Sequence, residues 1–131
     1  MRMMELDELK THKDVKHYFD WMPGWTEESL LNCFKFLSVE LEPYEFFFSD
    51  NSACVLIKGE GTVNGRKVSA PVSFGIDTSG EKVELVSDMF KATEDSILIC
   101  FNKNIFNNIC VGIGCGSMHT RFREMIKELN P

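Results

Sequence analysis

The most motif-like segment of the chain is a run of glycines at residues 111–117, Val-Gly-Ile-Gly-Cys-Gly-Ser, which passes from a predicted strand into a predicted helix. Glycines in this setting let a phosphate approach the backbone, and the N-terminus of a helix attracts an anion. Only fourteen residues follow Ser117, and both the last glycine of a dinucleotide motif and the Gly-Lys-Ser/Thr ending of a P-loop are missing. We therefore interpret the segment as a tight junction between a strand and a helix.

Cysteine and histidine residues at the same junction have the chemistry of a metal site or of a nucleophile and its base. Cys110, Cys115 and His119 match no zinc-ligand spacing, and a fourth ligand would have to come from a distant segment. A nucleophilic Cys115 would also need an orienting group and an oxyanion hole, which the sequence does not show. The sequence therefore predicts no metal, no cofactor and no catalytic residue, and it favours a non-enzymatic protein. A role for Cys115 and His119 stays open.

Acidic residues dominate the middle of the chain. The net charge is −6, and residues 21–60 carry seven Asp and Glu against two Lys. Nucleic-acid binding requires clustered Lys and Arg, so this composition argues against a nucleic-acid partner. An acidic surface speeds association with a cationic protein. A solvated surface that only keeps the protein soluble is the alternative interpretation.

Two tryptophans around a predicted turn are the other candidates for binding. Trp21 and Trp25 flank Pro23-Gly24, and tryptophan is enriched at the centres of protein interfaces. A structural role as a hydrophobic staple at the start of the next helix is the alternative. The predicted partner-binding residues are Trp21, Trp25, Glu27, Glu28, Glu40, Glu42, Glu45 and Asp50.

Helical spacing of apolar residues characterises the N-terminal third, which would position those tryptophans. It predicts one helix that begins at Thr11 and ends before Pro23-Gly24. A second helix begins at Thr26, with Leu37 and Leu41 at the end of its apolar stripe.

A change to alternating apolar residues predicts a hairpin over residues 54–76. Asn64-Gly65 is the strongest short signal for its turn, because both turn positions require positive φ. An irregularity is expected near Pro71, which cannot donate a ladder hydrogen bond. The predicted cross-strand pairs are Val63 with Arg66, Gly61 with Val68, Ile57 with Val72, and Val55 with Phe74.

A second tight turn at Ser79-Gly80 would place Ile76 opposite Val83 and Phe74 opposite Leu85. Phe74 would then be buried at the centre of a three-stranded meander. Two further apolar runs, at residues 96–101 and 109–113, predict buried strands, and Ser117 would begin a final helix. The predicted fold is α+β, with N-terminal helices, a curved antiparallel sheet of five to six strands built as a meander of hairpins, and a C-terminal helix. The length of 131 residues suits a single domain, 1–131.

Cysteine usage and the absence of long apolar runs predict a reduced, cytoplasmic protein that does not enter a membrane. The number of cysteines is odd, no Cys-x-x-Cys occurs, and the N-terminus is charged too early for a signal peptide. All the cysteines are expected to be free thiols. They are Cys33, Cys54, Cys100, Cys110 and Cys115.

The segment from Lys58 to Val68, continuing through Phe74 and Ser79-Gly80 to Met89, resembles the central hairpins of nuclear transport factor 2-like and polyketide-cyclase-like α+β domains. The resemblance covers about a third of the chain. It implies helices that precede a curved sheet around a pocket. It transfers no catalytic residue, since the acidic and histidine pocket residues of the family's enzymes have no match here. Non-enzymatic members of this fold include immunity proteins of bacterial toxin systems.

Two functional hypotheses follow from these observations. The first is an inhibitor or immunity protein that neutralises a cationic protein partner, such as a bacterial nuclease toxin, and it is supported by the acidic middle segment and the tryptophan pair. The second is a small-molecule-binding or enzymatic domain with a pocket between helices and sheet. A filled interior would favour the first, and a deep cavity with convergent polar groups would favour the second.

Overall fold

Strands dominate the part of the chain that the structure describes. The structure is a computed structural model that describes residues 1–4, 8, 37–80, 83–103, 124 and 126–131. Residues 126–129 are helical. The strands are β1 Arg2–Met3, β2 Leu37–Leu41, β3 Phe46–Phe48, β4 Ser52–Lys58, β5 Glu60–Val63, β6 Arg66–Ser69, β7 Val72–Phe74, β8 Ile76–Asp77, β9 Glu84–Leu85, β10 Met89–Ala92 and β11 Ser96–Asn102.

These strands form three antiparallel sheets rather than one. A five-stranded sheet has the order β1-β2-β11-β4-β7, a four-stranded sheet has the order β3-β10-β5-β6, and β8 pairs with β9. The predicted α+β fold with a single curved sheet of five to six strands is therefore wrong. The described residues are mostly β, and no helix among them reaches seven residues.

Strand β2 shows where the helical prediction fails. The sequence pattern predicts Leu37 and Leu41 at the end of a helix, but residues 37–41 are a strand that pairs with β11, with Val39 opposite Leu98. Leucines four residues apart fit both a helical period and a strand period. Val39 between them fits only the strand, and Val39 and Leu41 are fully buried. The predicted helices over residues 11–36, the strand at 109–113 and the helix start at Ser117 lie outside the described residues.

The Asn64-Gly65 hairpin is confirmed. Asn64 and Gly65 have φ values of 49° and 86°, as a tight turn between twisted strands requires. Strands β5 and β6 pair as predicted near the turn, with Val63 opposite Arg66 and Gly61 opposite Val68.

The predicted register fails by one residue farther from that turn. Leu56, not Ile57, lies opposite Val72, and Cys54, not Val55, lies opposite Phe74. The break falls where Ala70 donates to the Gly59 carbonyl at 3.0 Å, next to Gly59 at φ 106°. Pro71 follows directly and has no N–H to continue the ladder, so the irregularity expected near it is confirmed. A shift of one residue exchanges the two faces of a strand, which is why Cys54 and Leu56 face the same core as Phe74.

This break divides one hairpin between two sheets that share a core. Strands β4 and β7 belong to the five-stranded sheet, and β5 and β6 to the four-stranded sheet. Phe74 from the first sheet stacks on Phe90 from the second, with ring centroids 5.5 Å apart. Phe74 is buried as predicted. It is not at the centre of a meander, however, because β7 is an edge strand among the described residues.

The second predicted hairpin has a different register. Ile76 pairs with Leu85 rather than Val83, and β10 pairs with β5 and β3. A local turn begins at Asp77, whose carboxylate accepts hydrogen bonds from the Ser79 N–H at 2.9 Å and the Ser79 hydroxyl at 2.6 Å. An Asp side chain that bonds its own backbone two residues on starts a turn by itself.

The five-stranded sheet is buried on both faces. Val55, Ile57, Ile97 and Ile99 are at most 5% exposed on the face away from the shared core. Ile126 is fully buried, and its carbonyl accepts a 2.6 Å hydrogen bond from the Ser73 hydroxyl. Burial on both faces explains the nearly continuous apolar runs of β4 and β11. Within the described ranges, no helix has the length and apolar character to cross a membrane.

Candidate functional site

Half of the predicted binding residues lie in the described part of the chain. Trp21, Trp25, Glu27 and Glu28 lie outside it, as do Cys115 and His119. The structure places the other four, Glu40, Glu42, Glu45 and Asp50, on and around strands β2 and β3.

Glu40 is paired with an arginine of a neighbouring strand. It lies on β2 directly opposite Arg2 of β1, and the Arg2 guanidinium donates to its carboxylate at 2.5 Å. The same guanidinium contacts both carboxylate oxygens of Glu8 at 3.0 Å. Glu40 therefore belongs to a surface ion-pair network in which one guanidinium is shared by two carboxylates, so its side chain already has a partner within the chain.

A tight turn carries Glu42 and Glu45 from β2 into β3. Pro43 and Tyr44 are its central residues, and the Glu45 N–H donates to the Glu42 carbonyl at 3.2 Å. Tyr44 has φ 70°, which is the position of a type II turn where a glycine usually stands. The Glu45 carboxylate accepts from the Met1 amino group and from the Glu42 N–H, and these hydrogen bonds lower the pKa of Glu45.

Strand β3 exposes aromatic side chains along one side. Phe47 points inward and packs against the shared core. Tyr44, Phe46 and Phe48 are 72%, 50% and 54% exposed, and we call these three residues the aromatic edge. The Lys91 ammonium lies 5.4 Å from the Phe46 ring centroid and 5.9 Å from that of Tyr44. The ring faces of the aromatic edge therefore already attract one cation.

The backbone of β3 has one side on which the described residues place no strand, and we call it the open side. The Ala92 N–H donates to the Glu45 carbonyl at 3.0 Å, and the Ser49 N–H donates to the Asp88 carbonyl at 2.9 Å. Alternate residues of an antiparallel strand bond to opposite sides, so residues 45, 47 and 49 face β10. The N–H and C=O groups of Phe46 and Phe48 face away from it. Among the described residues, no strand pairs with β3 on that side.

A polar network fixes the far end of β3. The Ser49 hydroxyl donates to the Val86 carbonyl and accepts from the Asp88 N–H, both at 2.8 Å. The Asp88 carboxylate accepts from the Asn64 amide at 2.8 Å and from the Gly75 N–H at 2.7 Å. The aromatic edge is thus held in a fixed geometry at both ends, which reduces the entropy that a partner would have to remove on binding.

Carboxylates flank the aromatic edge on both sides. Glu42 precedes Tyr44, and Asp50 follows β3, where it accepts a hydrogen bond from the Ser87 hydroxyl at 3.0 Å. Residues 42–50 contain three carboxylates and no Lys or Arg. Aromatic residues at the centre with charged residues around them are the usual anatomy of a protein interface.

Sequence reasoning found the carboxylates of this site but missed its aromatic residues. The available signal is Tyr44 after Pro43 and three consecutive phenylalanines at 46–48 between turn residues. A surface strand with apolar residues on both faces leaves apolar side chains in water on the face that does not meet the core. That face must therefore be covered by another part of the chain or bind a partner. The pattern does not tell which phenylalanines point outward.

The cysteines among the described residues, Cys54 and Cys100, are both buried. Cys54 and Cys100 lie opposite each other on β4 and β11 and are both free, which confirms the prediction for these two. Burial raises the pKa of the Cys54 thiol well above its usual value, and its interaction with Cys100 adds to this effect. A thiol that stays protonated is neither a nucleophile nor a metal ligand. In the described ranges no group of three or more His, Cys, Asp or Glu side chains is placed to hold a metal ion.

No protein-family model matches the chain, and no curated protein matches it either. The resemblance to nuclear transport factor 2-like domains stays a prediction from the sequence.

Proposed function

We propose that this protein is a small, acidic, non-enzymatic binding protein that uses the aromatic edge to engage a cationic protein partner. The observation that carries the proposal is the position of Tyr44, Phe46 and Phe48, which are half or more exposed along β3 and the turn before it, with carboxylates at both ends. The proposal places the protein in the cytoplasm, where its free thiols would stay reduced.

The exposure of these three aromatic side chains indicates a binding surface rather than a surface that only keeps the protein soluble. Large apolar side chains that cluster on a surface are unfavourable in water and commonly mark an interaction site. Aromatic rings also supply much of the binding energy at protein interfaces. The rings of the aromatic edge point out from a rigid strand, so they are available without rearrangement of the fold.

Charge selects the partner. Glu42 and Asp50 keep carboxylates at the two ends of the aromatic edge, whereas Glu40 is paired with Arg2 and Glu45 with Met1. Lys91 is the cation that the structure places over these rings. With a net charge of −6 for the chain, the field around the site attracts a basic protein and repels an acidic one.

A nuclease toxin is the most concrete partner of this kind. A protein that binds nucleic acid must present Lys and Arg to phosphates. An acidic protein that covers those residues competes directly with the nucleic acid and so inhibits the enzyme. We propose that neutralisation of such a toxin is the activity of this protein, as an immunity protein or inhibitor.

The alternative is a small-molecule-binding or enzymatic domain with a pocket between helices and sheet, and the predicted N-terminal helices that would form it lie outside the described residues. The interior between the two large sheets is filled where Phe74 stacks on Phe90.

The test is capture of a basic protein followed by kinetics with charge variants. The purified partner is mixed with the wild type, with Glu42→Lys/Asp50→Lys, and with Glu84→Lys as a control for reversal of an exposed charge elsewhere. We expect the double variant to associate about tenfold more slowly at low salt, with a smaller salt dependence, and the control to associate at nearly the wild-type rate. Inhibition of the partner's nuclease activity should fall in parallel.

A fold-preserving variant tests the aromatic part of the proposal. Tyr44→Gly removes one ring and places glycine at a positive φ that favours it, so the protein should keep or slightly raise its melting temperature. Affinity should nevertheless fall. A partner that binds all these variants equally, independently of salt, contradicts the proposed function.

A further inference from the structure

We propose that the partner binds by adding an extended segment as a new strand on the open side of β3. This inference rests on the proposed function, since it describes how the cationic partner is held. The segment that fits has two apolar residues spaced two apart, with a lysine or arginine beyond each of them on the same face.

The backbone of β3 supplies the hydrogen-bonding groups. Bonds from Ala92 to the Glu45 carbonyl and from Ser49 to the Asp88 carbonyl fix which residues face β10. The N–H and C=O groups of Phe46 and Phe48 then point to the open side, where the described residues place no strand. Main-chain groups of this kind are the template for strand addition.

The usual protection of an edge strand is weak here. Edge strands commonly carry an outward lysine, a proline or a bulge that prevents pairing with another chain. Residues 44–50 contain no lysine and no proline. Beyond the three residues of β3 itself, the ladder to β10 reaches from Glu45 to Ser49, so a partner strand meets a regular template of about five residues.

The side chains determine which segment fits. Phe46 and Phe48 lie on one face and would contact apolar residues directly opposite them on the added strand. Glu42 and Asp50 are exposed and lie beyond the two ends of β3, so each end of the added segment lies toward one of these acidic residues. This arrangement favours basic residues at both ends, whichever direction the segment runs.

A second copy of the chain fits the same edge poorly. Antiparallel pairing of β3 with itself about Phe47 would bring Asp50 of each copy beside the other copy's turn, which carries Glu42. Like charges opposite each other on paired strands are destabilising. Charge complementarity therefore favours a basic segment of another protein.

The test uses a labelled peptide, Lys-Thr-Val-Thr-Val-Thr-Lys with blocked termini, titrated with the full chain by fluorescence anisotropy. A peptide with Glu in place of both lysines is the charge control, and we expect it to bind at least about tenfold more weakly. Methylation of one peptide N–H at a time then tests the backbone. In an added strand only alternate N–H groups face β3, so alternate methylations should weaken binding about tenfold or more and the intervening ones less than about twofold.

A matched pair of protein variants tests whether the backbone of β3 itself forms hydrogen bonds with the peptide. Phe48→Ala and Phe48→Pro both remove the ring, but only proline also removes the N–H on the open side. That N–H is not used by β10, so proline is tolerated there and the melting temperatures of the two variants should be similar. We expect Phe48→Pro to bind the peptide at least about fivefold more weakly than Phe48→Ala, through the lost hydrogen bond and the blocked approach.

The outcomes separate this inference from the proposed function. Strand addition is wrong if the peptide shows no saturable binding, if the effect of methylation does not alternate, or if Phe48→Pro binds like Phe48→Ala. In each of these cases the proposed function stands as long as the whole basic partner still binds in a way that depends on Glu42, Asp50 and salt. Loss of that dependence with the whole partner overturns both.

Discussion

The contribution of a side chain to the stability of this protein depends on the face of the strand from which it points. The phenylalanines show this contrast. Phe47 and Phe74 face the shared core, whereas Phe46 and Phe48 face solvent on the same strand as Phe47. Rings in the core stabilise the fold by leaving water. Rings on the aromatic edge remain half or more exposed, so burial of that remaining area is still available to stabilise binding of a partner.

Phe74→Ala is the stability prediction at this scale. Phe74 is 1% exposed and stacks on Phe90, so removal of its ring leaves a cavity between the two sheets. We expect a loss of about 3–5 kcal/mol in the free energy of unfolding, measured by urea denaturation followed by circular dichroism. Phe46→Ala is the matched control and should cost less than about 1 kcal/mol, because that ring is half exposed. Equal costs for the two variants would contradict the assignment of the core.

Part of the candidate site could be predicted from single residues, and part could not. Glu42 and Asp50 were identified from charge alone, because charge is a property of the residue. The pairing of Glu40 with Arg2 could not be predicted, since it depends on β1 lying beside β2 across a long stretch of sequence. The exposure of Phe46 and Phe48 likewise depends on which face of β3 meets the core. A run of three phenylalanines has no polar–apolar alternation that would predict this face.

At the scale of elements, turns decided which predictions succeeded. Asn64-Gly65 fixes its own hairpin, because the two residues set the backbone conformation locally. Farther along, the register depends on Gly59 and Pro71, which break the ladder and move Phe74 opposite Cys54. Asp50-Asn51 also turns the chain with two positive φ values, and this signal was present in the sequence and missed. Local chemistry predicts a turn, but only the packed sheets determine how far a register extends.

Gly61 and Gly65 give a prediction about the β5–β6 hairpin. A Cβ at Gly61 would lie 2.2 Å from the Lys91 carbonyl oxygen and 2.7 Å from the Phe90 ring, so the strands would have to move apart. A Cβ at Gly65 would have no atom within 4 Å. Alanine there is therefore unfavourable only because the backbone has a positive φ of 86°. We expect Gly61→Ala to lower the free energy of unfolding by about 2–4 kcal/mol and Gly65→Ala by about 1 kcal/mol. The reverse order in a denaturation experiment would show that β5 does not pack closely against β10.

At the scale of the whole molecule, the described strands share one interior. The five-stranded and four-stranded sheets both contribute to the cluster around Phe74 and Phe90, and the hairpin from Ser52 to Phe74 passes through both sheets. The aromatic edge belongs to the four-stranded sheet, but the network of Ser49, Asp88 and Gly75 links its end to the strands on the other side. A partner that binds β3 would therefore stabilise both sheets together.

This shared interior predicts that the two sheets unfold in one transition, and the thiols of Cys54 and Cys100 report it. Both are at most 3% exposed in the five-stranded sheet, so a thiol reagent reaches them only when that sheet opens. In rising urea, we expect their modification, assigned to each cysteine by peptide mass mapping, to share one midpoint with the loss of circular dichroism. Phe74→Ala should lower both midpoints equally. Modification of Cys54 or Cys100 at clearly lower urea than the loss of strand signal would show that the five-stranded sheet opens independently, and the single shared core would then be wrong.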